Sequence, residues 1–358
     1  MKKTLLGMAA MALLVTSCNE DKTELQEQQA KVDMSDFYLY TDASENGSAD
    51  RGHSKSCATM DVLNRELNEN PGMYKKMYDI EMHSRQYMAN AKPPGGNGGG
   101  PGGPGSGDGG GSDDIDVLPV EDGLGVINIP VNIIIVSPNP SSVTTQQVNS
   151  QIATLNADYR NKNTNQLPSG TTFVNDATDA GFSFTVATVD RYTDSRTSWG
   201  TNNAVKSAYP SDPATRNTHL TMWICPIGGG ILGYAQFPGG NASTDGVVVD
   251  PAYFGNTSGP YGMGRTMTHE VGHWMNLRHI WGDGRCRQDD FVADTPESDG
   301  PNYGCPSYPT VNCKSPDMTM NYMDYVYDQC MYMFTDGQRN RMRAIFTSGG
   351  PRASFTGN

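Results

Sequence analysis

The spacing of apolar residues divides the chain into two patterned regions with an unpatterned stretch between them. Near the N-terminus, apolar residues recur every three or four positions, which predicts two short amphipathic helices separated by Pro71-Gly72; these residues are Met60, Leu63 and Leu67, then Met73, Met77, Ile80 and Tyr87. From Pro93 to Gly111 the sequence is mostly Gly and Pro, and it predicts a flexible tether with too little apolar surface to fold. The pattern therefore predicts a small N-terminal unit, a linker and a larger C-terminal domain.

The larger region combines strand and helix patterns. A nearly continuous apolar run predicts a buried strand over Val126–Val136, and a 3.6-residue period predicts a helix whose inner stripe is Val148, Ile152, Leu155 and Tyr159. Further strands are predicted over Phe182–Val189, Leu220–Cys225 and Val247–Val249. A helix is predicted to start near Arg265, and the capping box Thr335-Asp336-Gly337-Gln338 predicts the start of a last one.

The helix predicted after Arg265 carries the residues of a catalytic zinc site. Residues four apart share one helix face, so His269 and His273 can point at one ion, and Glu270 can reach a water molecule beside it. Asn276 tolerates the left-handed conformation that ends a helix, and the resulting turn can return His279 as a third ligand. Three of the six histidines in the chain lie in this window, which disfavours ordinary packed or solvated histidines.

Three protein ligands leave one coordination position open, and this distinguishes a catalytic zinc from a structural one. Zinc held by neutral imidazoles lowers the pKa of its bound water towards ~7 and polarises a carbonyl. Glu270 would be the general base that takes the proton of the water and passes it to the leaving amine. The predicted reaction is metal-assisted amide hydrolysis.

The extended motif resembles a known family. H-E-x-x-H-x-x-N-x-x-H is similar to the zinc helix of metzincins with Asn in place of the usual Gly, as in the pappalysin family and its cytophagalysin branch. Asn321-Tyr322-Met323-Asp324-Tyr325, followed by Cys330, resembles the Met-turn of that family. The resemblance implies that Met323 packs beneath the metal and that Tyr325 stabilises an oxyanion or acts as a switching ligand. The alternative is that both residues belong to an aromatic-rich core.

The resemblance also implies the fold of the domain. We expect an α+β, metzincin-like catalytic domain over residues 117–358, with a twisted mixed sheet and backing helices above the zinc helix. An irregular, disulfide-bonded C-terminal half should lie below it. The similarity extends from about Val126 to Phe346 and is strongest from Gly264 onward.

The N-terminus has the pattern of an export signal. Lys2 and Lys3 precede an apolar run, and Val15-Thr16-Ser17-Cys18 matches a lipoprotein cleavage box, so Cys18 would carry the lipid. An ordinary signal peptide is the alternative. We expect a lipoprotein signal over residues 1–17, a pro-segment over 18–92 and a linker over 93–116. The expected location is the outer membrane or the cell surface of a Gram-negative bacterium.

Four cysteines cluster in the irregular half, where an exported protein can keep disulfides, and sequence alone allows three pairings. The resemblance implies the interleaved one, Cys286 with Cys313 and Cys305 with Cys330. A second zinc bound by these four thiolates is the alternative. Cys57 and Cys225 remain; Cys57 lies just before the first predicted helix of the pro-segment. Its thiolate could occupy the open zinc position in a latent form, or Cys57 could pair with Cys225, or both could be unrelated thiols.

Two further sites are predicted. An acidic loop offers hard oxygen ligands that suit calcium, supplied by Asp290, Val292, Asp294 and Thr295, although a solvated acidic turn has the same composition. The segment Ile231–Gln236 should form an edge strand above the zinc, so that Gly233, Tyr234 and Ala235 pair with an extended substrate. Some relatives prefer Arg or Lys after the cleaved bond, and Asp328 could select these residues here.

Composition restricts the partners. A formal net charge of −13 disfavours nucleic acid, because a phosphate backbone needs a basic footprint. The leading hypothesis is an exported, lipid-anchored zinc endopeptidase that is made as a zymogen, works as a monomer and acts on proteins or peptides. One alternative is a zinc-containing surface binding module without turnover, against which an intact Glu270 argues. Another is a zinc amidase acting on cell-wall peptides.

Overall fold

A computed structural model describes residues 32–39, 57–90, 119–163, 167, 170–284, 286 and 288–357. The predicted signal segment, the predicted lipidation site Cys18 and the Gly/Pro-rich linker lie outside these ranges. Within the described ranges, no helix is both long enough and apolar enough to cross a membrane.

A five-stranded mixed sheet organises the upper half of the larger domain. Its strands are β1 (Ile127–Ser137), β2 (Phe182–Thr193), β3 (Leu220–Ile224), β4 (Gly233–Ala235) and β5 (Val247–Val249), in the order β2-β1-β3-β5-β4. All neighbours pair in parallel except β4, which is antiparallel to β5. The predicted strands are confirmed, with β2 extending to Thr193. The position of β4 at the sheet edge is confirmed as well.

Helices cover the inner face of the sheet. In chain order the helices are α1 (Thr59–Glu69), α2 (Met73–Asn90), α3 (Thr145–Asp158), α4 (Ala204–Ala208), α5 (Arg265–Trp274) and α6 (Asp336–Ala344). The capping box of Thr335 and Gln338 opens α6 as predicted. Helices α3 and α5 pack on the sheet in a core where Leu155, Val271 and Ile133 are fully buried. This packing fixes α5, the carrier of the histidine motif, directly below β4.

The lower half has little regular structure, as expected. Two short ladders pair β6 (Tyr303–Gly304) with β9 (Tyr325–Val326) and β7 (Val311–Asn312) with β8 (Ser315–Pro316). Disulfides join Cys286 to Cys313 and Cys305 to Cys330, which confirms the interleaved pairing. Each cross-link restricts the unfolded chain by about 3 to 4 kcal/mol in the chain-entropy model. The alternative of a zinc ion on these four thiolates is therefore wrong.

The N-terminal unit, residues 32–39 and 57–90, packs against the larger domain through two apolar clusters and through contacts of α2 with α6. Ala58 and Val62 bury themselves beside Trp199 and Tyr234 on the outer face of the sheet. On the opposite side of α1, side chains of the unit surround two phenylalanines of the larger domain; this cluster contains Phe37, Leu39, Met60, Leu63, Met73, Met77, Phe237 and Phe291. The amphipathic stripes read from the sequence are the faces that make these contacts.

Candidate metal centre

Three histidines converge below the edge strand β4. The Nε2 atom of His273 lies 3.1 Å from Nε2 of His269 and 3.1 Å from Nε2 of His279. His269 and His273 project from successive turns of α5, and the chain then reverses at Asn276, whose φ of 76° is left-handed as predicted. The turn is closed by a hydrogen bond from the amide of Leu277 to the carbonyl of Gly272, 2.9 Å long.

The Nδ1 atom of each histidine, on the side of the ring away from the cluster, contacts an oxygen that fixes the tautomer. Nδ1 of His269 donates to the carbonyl of Tyr322, and Nδ1 of His273 donates to the carbonyl of Leu277, each at 2.8 Å. Nδ1 of His279 contacts the carboxylate of Asp283. Because a carbonyl only accepts, Nδ1 carries the proton and Nε2 keeps its lone pair. Burial lowers the pKa of His269 to about 3 and that of His273 well below its usual value, so both rings are neutral.

Glu270 lies between this cluster and β4. Its side chain is 1% exposed, and burial raises its pKa to about 8. A Cβ on Gly233 would lie 3.0 Å from Cγ of Glu270, so the absence of a side chain at position 233 allows the carboxylate to approach the strand. Glu270 is thus held against the edge strand, beside the histidine cluster.

Met323 and Tyr325 are both at the cluster. Met323 is fully buried beneath α5, and a Cβ on Gly272 would lie only 2.5 Å from its Sδ atom. The Tyr325 hydroxyl lies 3.1 Å from Nε2 of His279. Met323 thus packs below the histidines, and Tyr325 reaches the atoms that a metal would contact.

The fourth group at the centre comes from the N-terminal unit. Ligand atoms of Cys57, His269, His273 and His279 all lie within 4.8 Å of one another, and the four residues are buried. Cys57 forms a parallel bridge with Gly233, and its Sγ lies 3.5 Å from Oε2 of Glu270. Among the described residues Cys57 and Cys225 are free thiols, so the alternative of a disulfide between them is wrong.

The free edge of β4 is partly paired. The amide of Ala58 donates to the carbonyl of Gly233 at 3.1 Å, and the amide of Ala235 donates to the hydroxyl of Thr59 at 2.8 Å. The Tyr234 side chain instead turns to the outer face of the sheet, beside Trp223 and Val248. Backbone groups of Gly233 and Ala235 are therefore able to bind an extended chain, whereas the Tyr234 side chain faces away from the centre.

A cleft opens beside Glu270. Its walls are Cys57, Leu232, Tyr261, Thr266, His269, Glu270, Asp324, Tyr325, Asp328 and Met331. Asp328 is 1% exposed; its Oδ2 accepts from the amides of Met263 and Arg265 at 2.8 and 3.1 Å. Its Oδ1 has no hydrogen-bond partner within the described part of the chain, and burial raises the pKa of Asp328 to about 6. The cleft thus has an acidic end.

The predicted calcium ligands are only partly assembled. The Thr295 hydroxyl lies 2.9 Å from both carboxylate oxygens of Asp290 and 2.7 Å from the carbonyl of Val292. Asp294 turns away and accepts from Thr335 and Gly337 at the start of α6. Calcium at this loop stays a prediction.

Three residues of the centre were missed in the sequence. Asp283 orients His279, and Asp324 lines the cleft, where burial raises its pKa to about 7. Thr59 donates to Oε2 of Glu270 at 2.7 Å. Asp283 follows His279 by four positions, a spacing that could have indicated the contact, whereas Thr59 and Glu270 are 211 positions apart.

The donor set fits zinc. Three imidazoles aim their Nε2 atoms at one point, and a thiol on a separate segment reaches the same point, which matches the nitrogen and sulfur ligands that zinc prefers. A buried carboxylate beside three histidine ligands is the arrangement of a hydrolytic metal centre, and the sheet with a helix beneath its edge strand is the frame expected for a metzincin.

Comparisons with known proteins agree with this class. The family model described as pregnancy-associated plasma protein-A matches residues 229–347. An extracellular metalloprotease of Arthroderma benhamiae is 31% identical over 241 residues, covering 61% of this chain and 72% of that protein. Extracellular metalloprotease 1 of Coccidioides posadasii is 41% identical over 135 residues, covering 36% of this chain and 49% of that protein. The chain thus spans about half the length of this last relative.

Two solved structures are also similar. Mature mirolysin of Tannerella forsythia in complex with a cleaved peptide has a TM-score of 0.62 and 39% identity, covering 65% of this chain and 96% of that one. A promirolysin variant from the same organism has a TM-score of 0.69 and 32% identity, covering 84% of this chain and 97% of that one. The chain belongs to the pappalysin family of metzincin metalloproteases.

Proposed function

We propose that the protein is an exported, lipid-anchored zinc endopeptidase made as a zymogen. The observation that carries the proposal is the convergence of three buried histidines beside the buried Glu270, with Cys57 of the N-terminal unit at the same point. On this proposal, residues 18–92 are a pro-segment and residues 117–358 the catalytic domain.

His269, His273 and His279 would hold the zinc, with Asp283 and backbone carbonyls fixing their orientation. When bound, zinc would acidify water and polarise the carbonyl of the substrate. Glu270 would accept the proton of the attacking water at its carboxylate and return it to the leaving amine. Tyr325, 3.1 Å from His279, would donate its hydroxyl to the oxygen of the carbonyl as negative charge develops there. Gly233 and Ala235 would hold the substrate backbone.

The N-terminal unit would keep the protease latent in two ways. Cys57 would supply the fourth zinc ligand, which excludes water from the position where it reacts. The Thr59 hydroxyl donates to Oε2 of Glu270 and accepts from the amide of Ala235. One side chain would therefore cover both the general base and the strand edge that binds the substrate.

Asp328 supports a preference for Arg or Lys after the cleaved bond. It lies in the cleft beside Glu270 with a buried carboxylate oxygen that has no partner in the described ranges. A substrate guanidinium or ammonium at that oxygen would pair with it in a poorly solvated place, where a charge-assisted bond is strong.

The decisive experiment is digestion of an unbiased peptide mixture by the activated protein with and without a chelator. A zinc endopeptidase cuts internal bonds and loses this activity with the metal, a binding module cuts nothing, and a cell-wall amidase cuts only muropeptides. Glu270→Gln should retain about one zinc per chain and lose nearly all hydrolysis. Zinc loss with unchanged hydrolysis would contradict the assigned roles.

Two further variants test latency and anchoring. Cys57→Ala should be active or self-processing without an added protease, because water then has access to the metal. A variant as latent as the parent would show that steric cover alone inhibits. The lipid anchor rests on the sequence around Cys18, and Cys18→Ser should move the protein from the membrane fraction to the soluble one.

A further inference from the structure

A surface beside the metal centre carries two arginines around one aromatic ring. The guanidinium of Arg278 lies 4.3 Å from the ring centroid of Phe291, and that of Arg341 lies 5.7 Å from it. Arg341 is held in place by a 2.8 Å hydrogen bond from its Nε to the carbonyl of Asn276. We refer to Arg278, Phe291 and Arg341 as the arginine surface.

The N-terminal unit covers the arginine surface with groups that complement its charge and its aromatic ring. Glu81 of α2 accepts from both Nη atoms of Arg341, at 3.1 and 2.6 Å. The ring of Phe37 stacks on Phe291 with centroids 6.0 Å apart and planes 27° apart. Nη1 of Arg278 donates to the carbonyl of Tyr38 at 3.0 Å. The arginine surface thus binds three groups of the N-terminal unit, namely the carboxylate of Glu81, the ring of Phe37 and the backbone carbonyl of Tyr38.

The arginine surface is positively charged and lies under the N-terminal unit. Each arginine carries a guanidinium group, which is cationic at neutral pH, so the surface holds two positive charges. With the N-terminal unit in place both side chains are nearly inaccessible, with exposures of 6% and 1%. Removal of the N-terminal unit takes away Glu81, the carboxylate bonded to Arg341. The two guanidinium groups then remain as a preformed receptor for another carboxylate.

The surface lies along the path that a substrate would take. Arg278 directly precedes His279, and Phe237, which follows β4, has its ring 5.5 Å from that of His273. A peptide paired antiparallel to β4 would run from the Phe237 end towards Gly233, where Cys57 and Glu270 mark the reacting position. The residues before the cleaved bond would therefore approach the arginine surface.

We propose that the arginine surface is a substrate subsite that binds an acidic side chain on the N-terminal side of the cleaved bond once the pro-segment has left. The stacked position of Phe37 indicates that Phe291 also accepts an aromatic or apolar side chain there. This inference rests on the proposed function, since it requires a protease that is activated by loss of the pro-segment.

The test uses the full chain, cut in the Gly/Pro-rich linker and freed of its pro-segment. Paired fluorogenic peptides differ only in Glu or Gln at one of the positions two to six residues before the cleaved bond. We expect the best Glu peptide to have a KM about 5- to 10-fold lower than its Gln partner with a similar kcat, and the difference should shrink in high salt.

Arg278→Gln should remove this preference, so that the Glu and Gln peptides of each pair have equal KM values. Arg160→Gln is the matched control, because Arg160 pairs with Asp179 near β2, at the opposite edge of the sheet. Equal KM values for every Glu and Gln pair in the parent would overturn the subsite, even if Arg278→Gln fails to fold. Failure of the activated parent to cut any peptide would instead contradict the proposed function.

Discussion

The buried ion pair between Glu81 and Arg341 should contribute much of the affinity of the pro-segment, and Glu81→Gln measures that contribution. Glu81 is 2% exposed and bonds to Arg341 on the catalytic domain as well as to Arg85 on its own helix. The amide keeps the shape of the side chain but removes its charge. Arg341 then loses the negative charge of the group bonded to it, in a place that water hardly reaches.

Two lines of reasoning give the magnitude. Burial alone would raise the pKa of Glu81, but the charges and hydrogen bonds of Arg341 and Arg85 outweigh it and lower the pKa from 4.5 to about 2. A shift of that size corresponds to about 3 kcal/mol, which the two arginines share. Loss of one partner from a buried pair costs about 3 to 5 kcal/mol in other proteins. We therefore expect the free pro-segment to bind about 100-fold more weakly.

The assay must separate binding from tethering. In the intact chain the linker holds the pro-segment at a roughly millimolar effective concentration, so Glu81→Gln can remain latent. After the linker is cut, serial dilution with a fluorogenic substrate gives the concentration at which activity returns. This concentration should be about 100-fold higher for Glu81→Gln than for the parent.

A matched control is available on the same helix. Asp79→Asn removes an exposed pair with Lys75, whose side chains are 45% and 79% exposed, and it should leave the dissociation constant within about twofold. If Glu81→Gln also stays within twofold, the ion pair does not hold the pro-segment.

The pH dependence of binding follows from the direction in which the pKa of Glu81 is shifted. Because the pKa of Glu81 is lowered in the bound state, the ionised carboxylate stabilises that state above pH 4.5. This contribution is lost as the pH falls towards 2 and the carboxylate is protonated.

Three further predictions concern the catalytic domain. Asp328→Asn should lower the share of Lys and Arg after cleaved bonds in a peptide digest. The parent should lose the same preference below about pH 6, where Asp328 is protonated. An unchanged cut-site profile would show that Asp328 does not contact substrate. Gly272→Ala would place a Cβ 2.5 Å from Sδ of Met323, so thermal unfolding should show a free energy of unfolding lower by about 1 to 3 kcal/mol, despite the better helix propensity of Ala. In the control Gly72→Ala the new Cβ meets nothing within 4 Å, and stability should not change. Calcium should raise the midpoint of thermal unfolding of the parent and not of Asp290→Asn, and equal shifts in both would remove the predicted calcium site.

The features that the sequence predicted are those set by local spacing. The four-residue separation of His269 and His273 places both on one helix face, and the left-handed tolerance of Asn276 explains the return to His279. Apolar patterns located the strands of the main sheet, since burial on both faces gives a continuous apolar run and burial on one face gives alternation. The disulfide pairing needed more than spacing, because four cysteines allow three pairings, and there the resemblance to a family was correct.

Contacts between distant segments could not be predicted in this way. Glu81 and Arg341 are 260 positions apart, and no periodic pattern relates the two residues. A partial signal was present, because Glu81 lies eight positions after Met73 and four after Met77, on the apolar face of its own helix. A charged residue on such a face must find a partner when it is buried, but only the packing of α2 against α6 shows which one.

On the proposed function, the contacts through which the N-terminal unit would inhibit the protease are divided between two places with different tasks. Beside the histidine cluster, Cys57, Ala58 and Thr59 join the edge strand through a bridge and two hydrogen bonds, and α1 begins at Thr59, where the backbone leaves the extended conformation. So short an extended stretch blocks the centre but offers few backbone bonds to hold it there. Helix α2, through Glu81, supplies an anchor away from the reacting atoms. On the proposed function, Cys57→Ala should therefore restore access to the metal without releasing the pro-segment, whereas Glu81→Gln should weaken its retention and leave the inhibitory geometry intact.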